Sequence, residues 1–267
     1  MDSKRKQPQR MLALDTSTRS LTAALLEGER VVAESQSFSE RNHSVQLIPV
    51  LQALLRTAGW KPADLDKIAA GQGPGSYTGV RIAVTAAKTL AWTIGKPLVG
   101  VSSLEALAFG ARSEVEHSTE SRGTVWIVPL MDARRDRFYT SLFAIDPEGN
   151  WTRLRADGIR LWEQWIRELA ELASGDADLH ASSAAERVPV PDRIRFVSEA
   201  EPREALRHLT ENCFAGKADW LIRDLHAADV GRLALNEPSR NREEVHRFVP
   251  NYTQLAEAEA KLLAKET

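Results

Sequence analysis

The residues best placed to do chemistry form one short run, Gly71-Gln72-Gly73-Pro74-Gly75-Ser76-Tyr77-Thr78-Gly79, which holds four of the fifteen glycines of the chain. Glycine tolerates positive φ and lets another group approach the backbone closely. Pro74 fixes one φ inside the run and has no donor of its own. Lys67 to Ala70, just upstream, reads as a strand. Downstream, Val80, Ala83, Val84, Ala87, Leu90, Ala91 and Ile94 recur at helical spacing, and Gly95-Lys96-Pro97 stops the helix. The unit is a strand, a glycine-rich turn and a helix N-terminus, whose free amides and positive dipole end suit an anion. It is not a common phosphate motif. Val80 stands where a Walker loop needs Lys, and Ser76 or Thr78 stands where the dinucleotide fingerprint needs its third glycine. Two readings stay open: an anion site, or a tight turn whose glycines serve packing.

Two carboxylates end apolar strands. Asp15 precedes Thr16, Ser17 and Thr18, and is either a cleft residue or the start of an Asx turn. Asp132 lies among Arg134, Arg135 and Arg137, where a local ion pair competes with any site role. None of the six histidines is paired at i and i+4, so no helical metal clamp is expected. His43 precedes a helix and reads as a capping or surface residue. Cys213 is the single cysteine, which excludes a disulfide framework and a cysteine metal cluster and fits a small buried residue. Ser76 lacks a nucleophile elbow around it. Trp162, Trp165 and Trp220 stand amid apolar residues and read as core rather than as base-stacking platforms. The expectation is no catalytic residue, no metal and no cofactor.

The elements that must hold these residues follow from pattern. Met11–Leu14, Leu21–Glu27 and Arg30–Phe38 read as three strands joined by short turns. A helix spans about 44–58, and Pro49 puts its firm start near Ile48. Pro62 to Asp66 is one turn. Leu98–Val101 is a further strand, and Ser102 with Glu105 has capping-box spacing for a helix to Phe109. After a polar stretch from Arg112 to Gly123, Thr124–Leu130 and Arg137–Ile145 are strands, and another strand starts at Trp151. Leu161 to Ala173 is an amphipathic helix, and 174–192 is a loop excursion. Ile194–Val197 is a strand, while Glu204–Phe214 and Leu221–Leu235 are helices. The domain expectation is a basic disordered tail over 1–10, an N-terminal half-domain over 11–111 and a C-terminal half-domain over 124–250. A C-terminal helix or tail covers 251–267.

With 267 residues, 43% apolar and 27% charged, the chain has room for one large domain or two small ones. A net charge of -2 implies no broad basic surface for gripping RNA alone. No apolar window reaches the roughly 18 residues of a membrane span. Lys4-Arg5-Lys6 has no apolar signal core behind it. No internal repeat is visible.

The run GPGSYTGVRIAVTAAKTLAW, with its flanks, resembles the GPGSFTGxRIG signature of the TsaB family of bacterial tRNA threonylcarbamoyladenosine biosynthesis. Met11-Leu12-Ala13-Leu14-Asp15-Thr16-Ser17-Thr18, the segment Leu98 to Leu107, and Met131-Asp132-Ala133-Arg134 resemble other parts of that family in order. The match runs over about 11–145 and is thin beyond Asn150. Near the end, Pro250-Asn251-Tyr252-Thr253-Gln254 departs from the family's Pro-x-Tyr-Leu-Arg.

The resemblance implies an α/β fold of the actin/hexokinase (ASKHA) type, with two related half-domains, each a mixed sheet flanked by helices. It implies a cytoplasmic, non-catalytic accessory subunit that binds and activates TsaD. That partner threonylcarbamoylates adenosine 37 of ANN-reading tRNAs. TsaE is a further partner, and tRNA is met only indirectly. No membrane is involved. In the catalytic relative TsaD a His-x-x-x-His pair holds the metal. Aligned on this chain, the pair falls on Ser103 and Leu107, so no iron or zinc is expected, and a metalloprotease reading loses its ligands. The family's contact helices place candidate interface residues at Val45, Ile48, Leu55, Ile82, Ala83, Ala87 and Trp92, for TsaD or for a homodimer. The alternative is an actin-fold nucleotide-binding ATPase or kinase whose cleft would use Asp15, Thr16, Gly73, Gly75, Ser76 and Gly79.

Overall fold

The computed structural model describes residues 8–38, 42–112, 123–175, 188–214, 216–241 and 243–253. The chain forms two compact units. One takes the residues up to Gly110 together with Asp224–Pro250, and the other takes Ala111–Arg223 and the residues from Asn251.

In the first unit, β1 (Arg10–Asp15), β2 (Leu21–Glu27) and β3 (Arg30–Ser37) make the expected antiparallel meander. β4 (Lys67–Gly71) and β5 (Leu98–Val101) add in parallel, giving the order β3-β2-β1-β4-β5. Apolar residues fill both faces of β1 and β2, as a sheet covered on both sides requires. One face meets α1 (His43–Ala58) and α2 (Tyr77–Ile94), through Leu47, Leu51, Leu54, Ala83 and Ala87. Helix α3 (Ser103–Gly110) follows β5, and its Glu105 amide donates to Ser102 Oγ at 3.1 Å, as the cap spacing predicts. The helix α1 starts at His43 and carries Pro49 inside it, earlier than the proline suggests. Leu47 and Leu51 are buried on either side of Pro49, so tertiary packing holds the turn that propensity disfavours.

The second unit repeats this plan. β6 (Val125–Asp132) pairs antiparallel with β7 (Arg137–Ile145), and β7 pairs antiparallel with β8 (Trp151–Leu161). β9 (Arg193–Ser198) and β10 (Ala218–Ile222) add in parallel on the other side of β6. The order β10-β9-β6-β7-β8 is the first sheet's order over again. Helices α4 (Trp162–Ser174) and α5 (Glu204–Phe214) carry a core of Trp162, Trp165, Ile166, Leu169 and Phe214 against Trp126, Leu142 and Phe196. The tryptophans are core, as expected, with Trp162 edge-on to Phe196 at 5.7 Å. Two mixed sheets flanked by helices are the actin/hexokinase-type half-domain pair.

The tail of the expected C-terminal half is different. Leu221–Leu235 is not one helix: β10 ends at Ile222, and α6 (Ala227–Ala234) follows after a break. The residues Asp224–Pro250, expected with the second half, cluster with the first unit. The cause is an apolar stripe, Leu225, Ala227, Val230 and Ala234, that is buried in that unit. Thr22 Oγ1 accepts from the Ala227 amide at 2.9 Å, and Lys67 Nζ donates to the Ala234 carbonyl at 3.1 Å. A Cβ at Gly231 would fall 2.4 Å from Leu26 Cδ1, so glycine lets the helix lie on β2. Farther on, Leu98 and Arg240 exchange backbone hydrogen bonds, and Phe248 is buried in the core with α1 and α2. The expected excursion 174–192 and terminal helix 251–267 lie mostly outside the described residues, as does most of the tail 1–10.

Candidate functional site: the loops at the end of β1 and β4

Asp15 closes β1 with its carboxylate buried, at 1% exposure. Its Oδ1 accepts from the Ser17 amide at 2.5 Å, and its Oδ2 accepts from Ser103 Oγ at 2.6 Å. Ser103 Oγ in turn accepts from the Gly73 amide at 3.1 Å, and the Ser103 amide donates to the Gly73 carbonyl at 2.9 Å. One carboxyl group thus ties together the ends of β1 and β4 and the start of α3. A Cβ at Gly71 would stand 1.6 Å from Asp15 Oδ2, so only glycine there leaves room for the carboxyl. Burial raises the Asp15 pKa above the ordinary aspartate value, while the bonds from Ser103 and Ser17 work against that rise.

The structure brings the six cleft candidates together, but by packing loop on loop. Thr16 Oγ1 donates to the Gly79 carbonyl at 2.7 Å, and the Ser76 amide donates to the Ser17 carbonyl at 2.7 Å. A Cβ at Gly79 would lie 1.9 Å from the Thr16 carbonyl oxygen, and one at Gly75 would lie 2.4 Å from that of Ser17. Gly73 has φ near +90°, a conformation that L side chains avoid. Ser76 is the N-cap of α2, and its Oγ accepts from the Gly79 amide at 3.4 Å. The glycines therefore serve close approach, and one first-turn amide meets a serine hydroxyl. Ser17 Oγ and His43 Nε2 are buried with no hydrogen-bond partner among the described residues. His43 is a buried residue, not the surface residue its sequence position implies.

Asp132, the counterpart carboxylate, is exposed and accepts from the Arg134 amide at 2.8 Å. It is an Asx turn, with Arg134, Arg135 and Asp136 all at positive φ. Among the described residues no group of three His, Cys, Asp or Glu side chains is arranged to hold a metal ion, and no helix is long and apolar enough to cross a membrane.

The interface candidates divide. Val45, Ile48 and Trp92 are outward, 73%, 51% and 49% exposed, and Ile82 is half-buried. Leu55, Ala83 and Ala87 are not surface residues: they lie in the core between the two helices and the sheet. Small residues at 83 and 87 let α2 settle on the sheet, which explains the alanines without a partner. Tyr77, missing from the candidates, is exposed on α2, with Arg81 Nη1 donating to its hydroxyl at 2.7 Å. Spacing alone holds its signal, since Tyr77, Arg81, Thr85, Thr89 and Trp92 form one exposed stripe. Ser103 was legible only as a mismatch with a histidine; its bond to Asp15 spans 88 positions.

The family profile described as TsaD: tRNA N6-adenosine threonylcarbamoyltransferase matches residues 32–148. The tRNA threonylcarbamoyladenosine biosynthesis protein TsaB of Escherichia coli (strain K12) is 31% identical over 167 residues, 62% of this chain and 68% of that protein. YeaZ from Pseudomonas aeruginosa shares the fold, with a TM-score of 0.63 at 23% identity, over 91% of this chain and 99% of that one. The tRNA threonylcarbamoyladenosine biosynthesis protein TsaB of Bacillus subtilis (strain 168) is 34% identical over 262 residues, 96% of this chain and 99% of that protein. With likeness of that grade along both whole chains, and the glycine loop, the Asp15 turn and the doubled sheet all in place, the chain belongs to the TsaB family.

Proposed function

We propose that this chain serves tRNA threonylcarbamoyladenosine biosynthesis as a non-catalytic accessory subunit that binds and activates a TsaD partner. The observation that carries this reading is the fate of the first position of the relative's metal-binding pair. On the resemblance Ser103 stands there, and its hydroxyl is engaged in holding a buried aspartate. Leu107, at the second position, is buried in the core. The outward faces of α1 and α2 supply the contact, through Val45, Ile48, Tyr77 and Trp92. Large apolar side chains held exposed on rigid helices are the usual anchors of protein interfaces. The same faces serve a homodimer when TsaD is absent. TsaE joins through TsaD, and tRNA is met through the complex.

The test is binding of purified TsaD to the chain by calorimetry. Trp92→Glu and Val45→Glu lower the affinity about tenfold or more each, since each buries a charge at the contact, and both leave the melting temperature in place. Titration with Mg-ATP tests the alternative. Micromolar binding with turnover, lost in Asp15→Asn, would replace the accessory reading with a nucleotide-dependent enzyme.

A further inference from the structure

The second unit has a cavity of about 440 Å³ beside its edge strand β8. Arg137 of β7, Arg160 of β8, Gln164, Trp165 and Glu168 of α4, and Thr253 are among the residues that line it. Arg160 sits 4.1 Å over the Trp165 ring and donates to the carbonyls of Thr140 at 3.2 Å and Ala156 at 3.4 Å. These contacts fix its guanidinium but do not neutralise it. No carboxylate among the described residues lies within salt-bridge distance of Arg160, and Arg137 has neither a salt bridge nor a side-chain hydrogen bond among them. Burial pulls the Arg160 pKa below the ordinary arginine value, with the charges of Glu168 and Asp157 opposing and that of Arg155 adding to the fall. Glu168 is itself taken, 3.5 Å from Arg155 Nε. Thr253 Oγ1 is buried and without a hydrogen-bond partner among the described residues.

We infer that this cavity binds a small anion, a phosphate or carboxylate group held by Arg137 and Arg160, with Gln164 and the Thr253 hydroxyl as hydrogen-bonding neighbours. Two guanidinium groups without a salt bridge among the described residues, one pre-fixed by an aromatic ring, are the donors that such anions fit, although the charges of Glu168 and Asp157 also act on Arg160. A cavity of this size takes a nucleoside monophosphate or a tricarboxylate. Binding an anion also relieves the cost of a half-buried guanidinium.

The full chain is titrated by calorimetry with inorganic phosphate, adenosine monophosphate and citrate. At least one binds one-to-one at roughly millimolar Kd or tighter, and Arg137→Gln weakens it about tenfold. Arg137 carries no side-chain bond that the fold needs, so this variant keeps its melting temperature. Thr253→Val weakens binding less, by about threefold. Arg167→Gln, an exposed charge on the same helix, changes nothing. Binding of the phosphates without citrate assigns a phosphate ligand, and the reverse a carboxylate; either supports the site. The inference is overturned by absence of heat with all three anions, or by binding that Arg137→Gln leaves intact. Binding that Asp15→Asn removes and Arg137→Gln does not would also overturn it, since that ligand belongs to the first unit.

Discussion

The two halves lay down five strands each in one order, β3-β2-β1-β4-β5 and β8-β7-β6-β9-β10, yet they finish the same positions in opposite ways. The first strand of each ends in aspartate. Asp15 is buried and doubly bonded, whereas Asp132 is exposed and caps its own turn. The fourth strand of each leads through five residues into a helix, 72–76 in one half and 199–203 in the other. The first of these loops packs Gly75 against Ser17, and the helix turn after it packs Gly79 against Thr16; the second holds Glu199, Ala200, Glu201, Pro202 and Arg203, with Glu201 pairing with Arg207 at the surface. The paired helices differ as well. On α1 and α2 the outward faces carry Val45, Ile48, Tyr77 and Trp92. On α4 and α5 they carry Glu163, Arg167, Glu171, Glu204, His208 and Glu211. A shared topology therefore explains neither feature. What is special to the first half is a close-packed joint at Asp15 and, on the outer faces of its helices, four large apolar side chains set among Gln52, Arg56, Arg81, Thr85 and Thr89, the features that the proposed docking role uses.

The sharpest way to break this contrast is one alanine substitution at each strand-to-helix junction, Gly79 in the first turn of α2 and Glu201 before α5. Gly79→Ala forces the Thr16 carbonyl to move and destabilises by about 3 kcal/mol, the upper end of ordinary overpacking. Glu201→Ala in the second loop changes stability by about 0.5 kcal/mol or less. Urea unfolding curves on the two variants measure both. Equal effects would mean that the first loop is no more constrained than the second.

The aspartates come next. Asp15→Ala strands the Ser17 amide and the Ser103 hydroxyl in the core and costs about 2–3 kcal/mol. Asp132→Ala loses one exposed turn bond and costs about 1 kcal/mol or less. The first loss is also pH-dependent. Burial raises the folded-state pKa of Asp15 above its unfolded value of about 3.9. Folding then binds a proton in the window between the two values. The stability that protonated Asp15 contributes is complete below the unfolded pKa and is lost as pH rises through the raised folded pKa. Asp15→Asn removes that slope, so wild type loses ground to it with rising pH. A difference that stays flat from about pH 4 upwards would show that the carboxyl ionises freely in the fold.

The outer surfaces rank third. Trp92→Glu alters unfolding free energy by about 0.5 kcal/mol or less but weakens TsaD binding. Glu163→Ala, on the corresponding face of α4, changes neither. A complex sensitive to the second and not the first would move the docking face to the other half.

Most of this contrast was half-legible in the residues. The strands from β1 to β9 follow apolar runs bounded by turn residues, and the tightness of the glycine loop follows from its composition. The strand β10 did not emerge, because Ala218-Asp219-Trp220-Leu221-Ile222 is short and mixed, and helix and strand periods cannot be separated over five residues. The burial of Asp15 was hidden for another reason. Its partner Ser103 and its neighbour Gly71 become meaningful only when β1, β4 and α3 meet, and local spacing records no such meeting. The return of Asp224–Pro250 to the first unit is the same kind of fact, carried by Thr22, Lys67 and Leu98 far upstream.

That return leads to the smallest expected effect. Lys67 is buried at the start of β4, and its ammonium donates to the last carbonyl of α6, where a cation meets the negative end of a helix. Burial lowers its pKa below the ordinary lysine value. Two terms then oppose each other at neutral pH: the charge-assisted bond stabilises, and desolvation of the ammonium costs. Lys67→Met should change stability by about 1 kcal/mol or less. The sign of the pH trend is fixed. Between the lowered folded pKa and the unfolded value of about 10.4, the unfolded chain holds more protons than the folded one, so wild type gains on the Met variant as pH rises through that window. Unfolding of the two proteins at pH 7 and near pH 10 measures it. A loss of several kcal/mol at pH 7 would instead make the ammonium the anchor of α6, in place of the apolar stripe of Ala227, Val230 and Ala234, and the first half's extra layer would then rest on one charge.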